Sequence, residues 1–133
     1  MLYFLDTNIV VYLVAGQPSF QQRARDHIAA LEGVGSSFAI SELTWTECLV
    51  TPHRNGTGPL LLDYLRFLSR PNLRTISMSA AMYHRAATIR GVHNFGLADS
   101  LHLTAAVEAG CDRFLTNDQG LASFPDLTVE LLS

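Results

Sequence analysis

Four acids in this sequence stand where carboxylates can do chemistry. Asp6 follows the apolar run Leu2-Tyr3-Phe4-Leu5, and Asp118 follows Phe114-Leu115-Thr116-Asn117. Each lies at the carboxyl end of a segment that reads as a buried strand, the edge at which open parallel sheets bind ligands. Asp99 falls in Leu97-Ala98-Asp99-Ser100-Leu101, the first turn of an apolar helix whose buried face is marked by Leu97, Leu101 and Ala105. It stands between the buried and polar arcs of that helix. Glu47 shares a helical stripe with Leu43 and Val50, and an acid in an apolar stripe needs a partner or a metal. Its rival Glu42, one residue after the Ser41 cap, suits a solvated acid favoured by the helix dipole. Each acid taken alone also has a plain structural reading. Asp, Asn and Thr cap helices, and Asp in a first turn is stabilised by the dipole.

Taken together, the four suggest oxygen ligands for a hard cation, since Mg²⁺ and Mn²⁺ prefer carboxylates and water. Gathered without a cation, such carboxylates repel and some take up protons. The five histidines show no zinc-ligand spacing and read as surface or core residues. Only His102, three residues after Asp99, lies near the set. The chain has no lysine, so all nine basic residues are arginine and lysine-dependent chemistry is excluded. There is no glycine-rich Lys-Ser/Thr loop for nucleotide phosphates. The formal net charge of −3 argues against a nucleic-acid partner. Setting the four acids aside as metal ligands leaves eight acids against nine arginines, so overall charge decides nothing.

The elements that must position these acids alternate strand and helix. Strands are expected at Leu2–Leu5, Ser37–Ile40, Leu73–Met78, Arg113–Thr116 and Leu127–Leu131. Between them fall helices at Ile9–Ala15, Phe20–Glu32, Ser41 to about Val50, Leu60–Arg70, Ser79 to Gly91 and Leu97–Ala109. Thr51-Pro52 should close the third helix, and Arg54–Pro59 reads as the clearest loop. Gly110 sits where a left-handed helix cap is expected. This order predicts an α/β fold, a parallel sheet covered on both faces. The 133 residues, 48% hydrophobic and 16% charged, suit one domain, 1–133, with one sizeable core. No run approaches a membrane span, and the opening residues do not read as a signal peptide. Cys48 and Cys111 read as reduced thiols of a cytoplasmic protein.

In these segments the chain resembles the PIN domain, and within it the VapC-type toxins of bacterial toxin–antitoxin pairs. Leu5-Asp6-Thr7-Asn8 is similar to the family's first motif. Ser41-Glu42-Leu43-Thr44-Trp45-Thr46-Glu47 is similar to its Ser-x-x-Thr-x-x-Glu segment, which favours Glu47 over Glu42. Leu97-Ala98-Asp99-Ser100-Leu101 with Thr104-Ala105-Ala106 resembles the third motif, and Phe114-Leu115-Thr116-Asn117-Asp118 the fourth. The family often has Ala where Ser100 stands. The resemblance implies a sheet in the order 3-2-1-4-5 and a metal-dependent endoribonuclease. Asp6, Asp99 and Asp118 would hold one or two Mg²⁺ or Mn²⁺ ions, and Glu47 would bind metal or orient the attacking water. Asn8 and Thr116 would hydrogen-bond a carboxylate, a metal-bound water or a phosphate. It also implies a homodimer and a cognate antitoxin.

The helix Leu60–Arg70 carries an apolar arc wider than a core stripe requires, with only Asp63, Arg66 and Arg70 polar. Either it packs on two sides or part of it forms a partner groove. Arg23, Arg25, Arg54 and Arg90 could contact RNA phosphates or simply be solvated. Two rival functions stand beside the ribonuclease: a PIN fold that has lost its chemistry and serves as a binding module, and another Asp-based phosphoryl-transfer enzyme. Against the second, haloacid-dehalogenase phosphatases need an acid where Asn8 stands, and receiver domains need a lysine.

Overall fold

Period-two alternation in the strands divides the core between two faces of one sheet. In the computed structural model, which describes residues 1–132, the strands are β1 (Leu2–Leu5), β2 (Ser37–Ser41), β3 (Leu73–Ile76), β4 (Arg113–Thr116) and β5 (Thr128–Leu131). All their pairings are parallel, in the order β3-β2-β1-β4-β5. Tyr3 and Leu5 of β1, Phe38 and Ile40 of β2 and Leu115 of β4 point to one face. Phe4, Ala39 and Phe114 point to the other, where Phe4 and Phe114 stack at 5.1 Å. Helices α1 (Thr7–Ala15), α2 (Pro18–Gly33), α3 (Glu42–Asn55) and α4 (Gly58–Leu68) cover the first face. Helices α5 (Ala80–His93) and α6 (Leu97–Glu108) cover the second. Among the described residues no helix is long and apolar enough to cross a membrane. Both cysteines are free and buried.

Several expectations need correction. Helix α3 does not close at Thr51-Pro52 but runs on to Asn55. Pro52 falls in the last turn and is buried; its missing N–H leaves the Cys48 carbonyl without its helix donor, a loss the helix sustains without ending there. The stop comes from Gly56, whose φ of 63° lets Thr57 N–H reach the Pro52 carbonyl at 2.9 Å. The loop expected over Arg54–Pro59 therefore shrinks to two residues, because Gly58-Pro59 already opens α4. Leu97 does not belong to the buried face of α6; it is 63% exposed at the first position of the helix. Full cover begins one turn later and runs from Ser100 to Ala106. The stripe Leu43-Glu47-Val50 is not the buried face of α3 either. That face is Thr44, Cys48 and Pro52, and Val50 is exposed.

Helix α5 runs two residues past Gly91 and ends at Asn94, whose φ of 58° is left-handed. Gly110 takes the left-handed conformation expected of it, with φ 72°. Along α4, Tyr64 and Leu68 are buried and Leu60 and Phe67 pack beside them, while Leu62 is exposed.

Candidate active site

β1 and β4 are neighbours at the point where strand order reverses, so their carboxyl ends open a crevice between them. Asp6 leaves β1 with φ and ψ still extended and caps α1, its Oδ1 accepting from Thr7 N–H at 2.8 Å. Its Oδ2 accepts from the Thr116 hydroxyl at 2.7 Å and from the Asn8 amide at 3.3 Å. Asp6 is only 4% exposed. Burial pushes its carboxyl above the ordinary range, against the opposing pull of Thr116 and Thr7.

Thr116 is the hub of this corner. Fully buried, it donates to Asp6 and accepts from Asp118 N–H at 3.0 Å and from Asn8 Nδ2 at 3.2 Å. Asn8 in turn accepts from Asn117 N–H at 3.3 Å. Asn8 and Thr116 thus hold the Asp6 carboxylate. Asp118 is exposed, and its Oδ1 accepts from Gly120 N–H at 2.9 Å, capping the short 3-10 turn Gln119–Leu121.

Asp99 stands half-buried in the first turn of α6. Burial raises its carboxyl, and so do the charges of Asp6 and Asp118 and, more weakly, Glu47. The four acids therefore share one electrostatic neighbourhood although they come from four separate elements. Glu47, its side chain 34% exposed, reaches the crevice from α3. Its Oε1 accepts from the Thr7 hydroxyl at 2.8 Å and lies 2.5 Å from His102 Nε2. Burial pushes this carboxyl up, but the hydrogen bonds from His102 and Thr7 outweigh it and hold it below the ordinary range. Glu42 stays outside, exposed, where it accepts from Met78 N–H at 2.6 Å.

Sequence reasoning missed Thr7, Asn117 and above all His102, which it read as an ordinary core or surface residue. His102 is buried, packed on the core ring of Phe4 on one side and hydrogen-bonded to Ser41 and Glu47 on the other, with the Thr7 hydroxyl 3.2 Å from its Nε2. The signal was its place one turn after Asp99, on the same face of α6. Of the arginines, Arg90 donates to the Phe95 carbonyl and Arg23 lies over the Phe20 ring. Arg54 is exposed, and Arg25 lines a cavity on the opposite face of the sheet from α6.

The donor set suits a hard cation that keeps much of its water. All four acids are oxygen donors, two of them held above their ordinary range. Among the described residues no three His, Cys, Asp or Glu side chains converge tightly enough to enclose an ion. Mg²⁺ dehydrates reluctantly and is commonly held by one or two carboxylates plus waters, a mode of binding that needs no closed cage.

The PIN domain family profile matches residues 3–127. No curated protein matches the chain. Solved structures with the same fold include VapBC2 from Rickettsia felis bound to a DNA fragment from its promoter, with TM-score 0.80, 23% identity and all of both chains covered. A toxin–antitoxin complex from Klebsiella pneumoniae superposes with TM-score 0.73 and 24% identity over 95% of each chain. VapC20 of Mycobacterium tuberculosis, described as a sarcin–ricin loop cleaving toxin, gives TM-score 0.72 and 14% identity, over 95% of this chain and 98% of that one.

Proposed function

The chain belongs to the PIN domain family, and from that premise we propose that it is a VapC-type toxin, an endoribonuclease dependent on Mg²⁺ or Mn²⁺. The observation that carries this reading is the position of Asp99, whose carboxyl is raised by burial and by the charges of both Asp6 and Asp118. Such a gathering of acids is costly unless a cation offsets it. Asp6, Asp99, Asp118 and Glu47 would hold the ion, directly or through water. When bound, it would lower the pKa of the attacking water and offset charge developing on the phosphate.

The residues of the chain do the rest. Thr116 and Asn8 fix the Asp6 carboxylate through Oδ2, and Thr7 N–H fixes it through Oδ1. Asp118 is fixed by its bonds to Thr116 and Gly120. Thr7 and His102 fix Glu47, which orients the water. Water adds to phosphorus and the P–O3′ bond breaks, leaving a 5′-phosphate and a 3′-hydroxyl. The test replaces Asp6 or Asp99 by Asn, confirms folding, and follows RNA cleavage with Mg²⁺ and with chelator. Full activity in both variants would sink the reading.

The open arrangement of the acids also favours a second reading, a PIN fold that binds partners without catalysis. Calorimetric titration with Mn²⁺ separates the two, because the binding module takes up no ion.

The antitoxin is the proposed protein partner. A cavity of about 230 Å³ opens between α2, α4 and the sheet, lined by Leu13, Ile28, Phe38 and Phe67 with Arg25 and Arg70 at its edge. An apolar segment of an antitoxin would seat there, as structural neighbours are toxin–antitoxin complexes. A second copy of the chain would cover the exposed Val92 and Leu97, and a monomer in light scattering at micromolar concentration would count against that. The buried, unpaired cysteines suit action in the cytoplasm.

A further inference from the structure

In the proposed chemistry His102 touches neither the ion nor the water, and its contact there is the bond to Glu47. It is 1% exposed, packs against the Phe4 ring at 5.6 Å, and is bonded at both nitrogens. Nδ1 lies 3.0 Å from Ser41 Oγ, and Nε2 lies 2.5 Å from Glu47 Oε1. The Glu47 carboxylate can only accept, so the ring donates to it from Nε2; Ser41 Oγ, which accepts from Leu43 N–H as the cap of α3, keeps its own proton to donate to Nδ1. A hydroxyl donating to Nδ1 leaves the imidazole proton on Nε2, aimed at the Glu47 carboxylate. The chain of bonds then runs one way, from Ser41 through the ring to Glu47. With Nδ1 accepting and Nε2 donating, neither nitrogen offers a lone pair to a cation.

Both donors to Glu47, His102 and Thr7, fall on Oε1. Oε2 has no protein partner among the described residues. A part-exposed glutamate left to itself spreads over many rotamers, and ordering it opposes binding. A buried ring anchored at its far side removes that freedom before any ligand arrives.

We propose that His102 is a positioning residue: it clamps Glu47 by Oε1 so that Oε2 is presented to the divalent ion or its water. This rests on the metal-dependent reading above. Groups that hydrogen-bond a ligating carboxylate change metal affinity by about 10–100-fold when removed.

Two variants separate this role from mere burial. In His102→Gln the amide nitrogen can reach where Nε2 stood and still donate to Glu47. In His102→Asn the shorter side chain reaches Ser41 but not Glu47. Both place a polar amide in the same site, so folding costs are comparable, and thermal melting checks this. Mn²⁺ titration by calorimetry should show affinity weakened about 10–100-fold in the Asn variant and close to the parent's in the Gln variant. The difference between the two should vanish in a Glu47→Gln background. Nitrogen chemical shifts of the metal-free parent should report the Nε2–H tautomer of His102. Equal Mn²⁺ affinity in the two variants, or a gap that survives Glu47→Gln, or an Nδ1–H tautomer, overturns the proposal alone. A parent protein that binds no Mn²⁺ overturns the metal-dependent reading, and this role with it.

Discussion

Replacing Thr116 by valine keeps the shape of the side chain and removes the hydroxyl on which three groups of the crevice converge. The bond to Asp6 is charge-assisted and buried, a class that contributes roughly 1.5–3 kcal/mol. Asp118 N–H and the Asn8 amide lie at the edge of the crevice, where water can take over, so they add at most about 1 kcal/mol. The expected loss is about 3 kcal/mol, which for a chain of this length lowers the melting temperature by roughly 10 °C. The loss has a pH signature. Thr116 pulls the Asp6 carboxyl down against burial, so its removal lets that carboxyl rise further. A carboxyl raised in the folded state contributes stability that is complete below its unfolded pKa of about 3.9 and is lost as pH rises through the folded value. The variant should therefore lie closest to the parent near pH 4 and fall behind it toward neutrality. Melting curves across that range, in chelator, measure both effects, and Thr116→Ser is the control that retains the hydroxyl. A Val variant that melts within a degree or two of the parent at pH 7, or a gap that does not widen with pH, would refute the account of Thr116 as the hub.

Three further outcomes are expected. In chelator, Asp99→Asn should show a shallower fall in stability between pH 4 and 7 than the parent, because one of the two raised carboxyls is gone; Glu47, held low, contributes in the opposite sense and is unchanged. Equal slopes in urea unfolding would count against the shared electrostatic neighbourhood. Thr44 Oγ1 is buried with no hydrogen-bond partner among the described residues, so Thr44→Val should raise stability by about 1 kcal/mol, and a loss of that size would reveal a partner for the hydroxyl. Leu103→Ala, at a fully buried position of α6, should cost about 2–5 kcal/mol, while Leu97→Ala stays within about 0.5 kcal/mol. Comparable losses in denaturant titrations would restore Leu97 to the core.

The strands were legible because buried parallel strands are short apolar runs bounded by polar caps, and Asp6 and Asp118 could be placed from their positions at two such ends. Strand order followed from the resemblance, not from the pattern. Periodicity failed on α3. It assigned Glu47 to a buried stripe, whereas the buried face is offset to Thr44 and Cys48 and the acid stands at its edge. Of the two acids it is Glu47 that reaches the crevice while Glu42 stays outside, and the motif spacing, not the stripe, singled Glu47 out. Its surroundings were out of reach. Thr7 and His102 lie 40 and 55 residues away along the chain, and only the packing of α1 against α3 on one face of the sheet, with α6 against β2 and β4 on the other, brings them to one oxygen. Proline misled in a different way. Read as a helix breaker, Pro52 is instead carried inside α3, and the stop comes from the left-handed Gly56 four residues later.

Asp6 has two employments that do not depend on each other. Its carboxylate starts α1 and ties β1 to β4 through Thr116, whether or not an ion is present. Asp99 has no comparable duty, since Gly96 rather than Asp99 occupies the cap of α6. Under the proposed nuclease reading, a descendant of this chain released from catalysis would thus be free to drift at Asp99 while selection for folding alone kept Asp6. In sorting working from retired copies of such a sequence, the first aspartate is a poor witness and the third acid a good one.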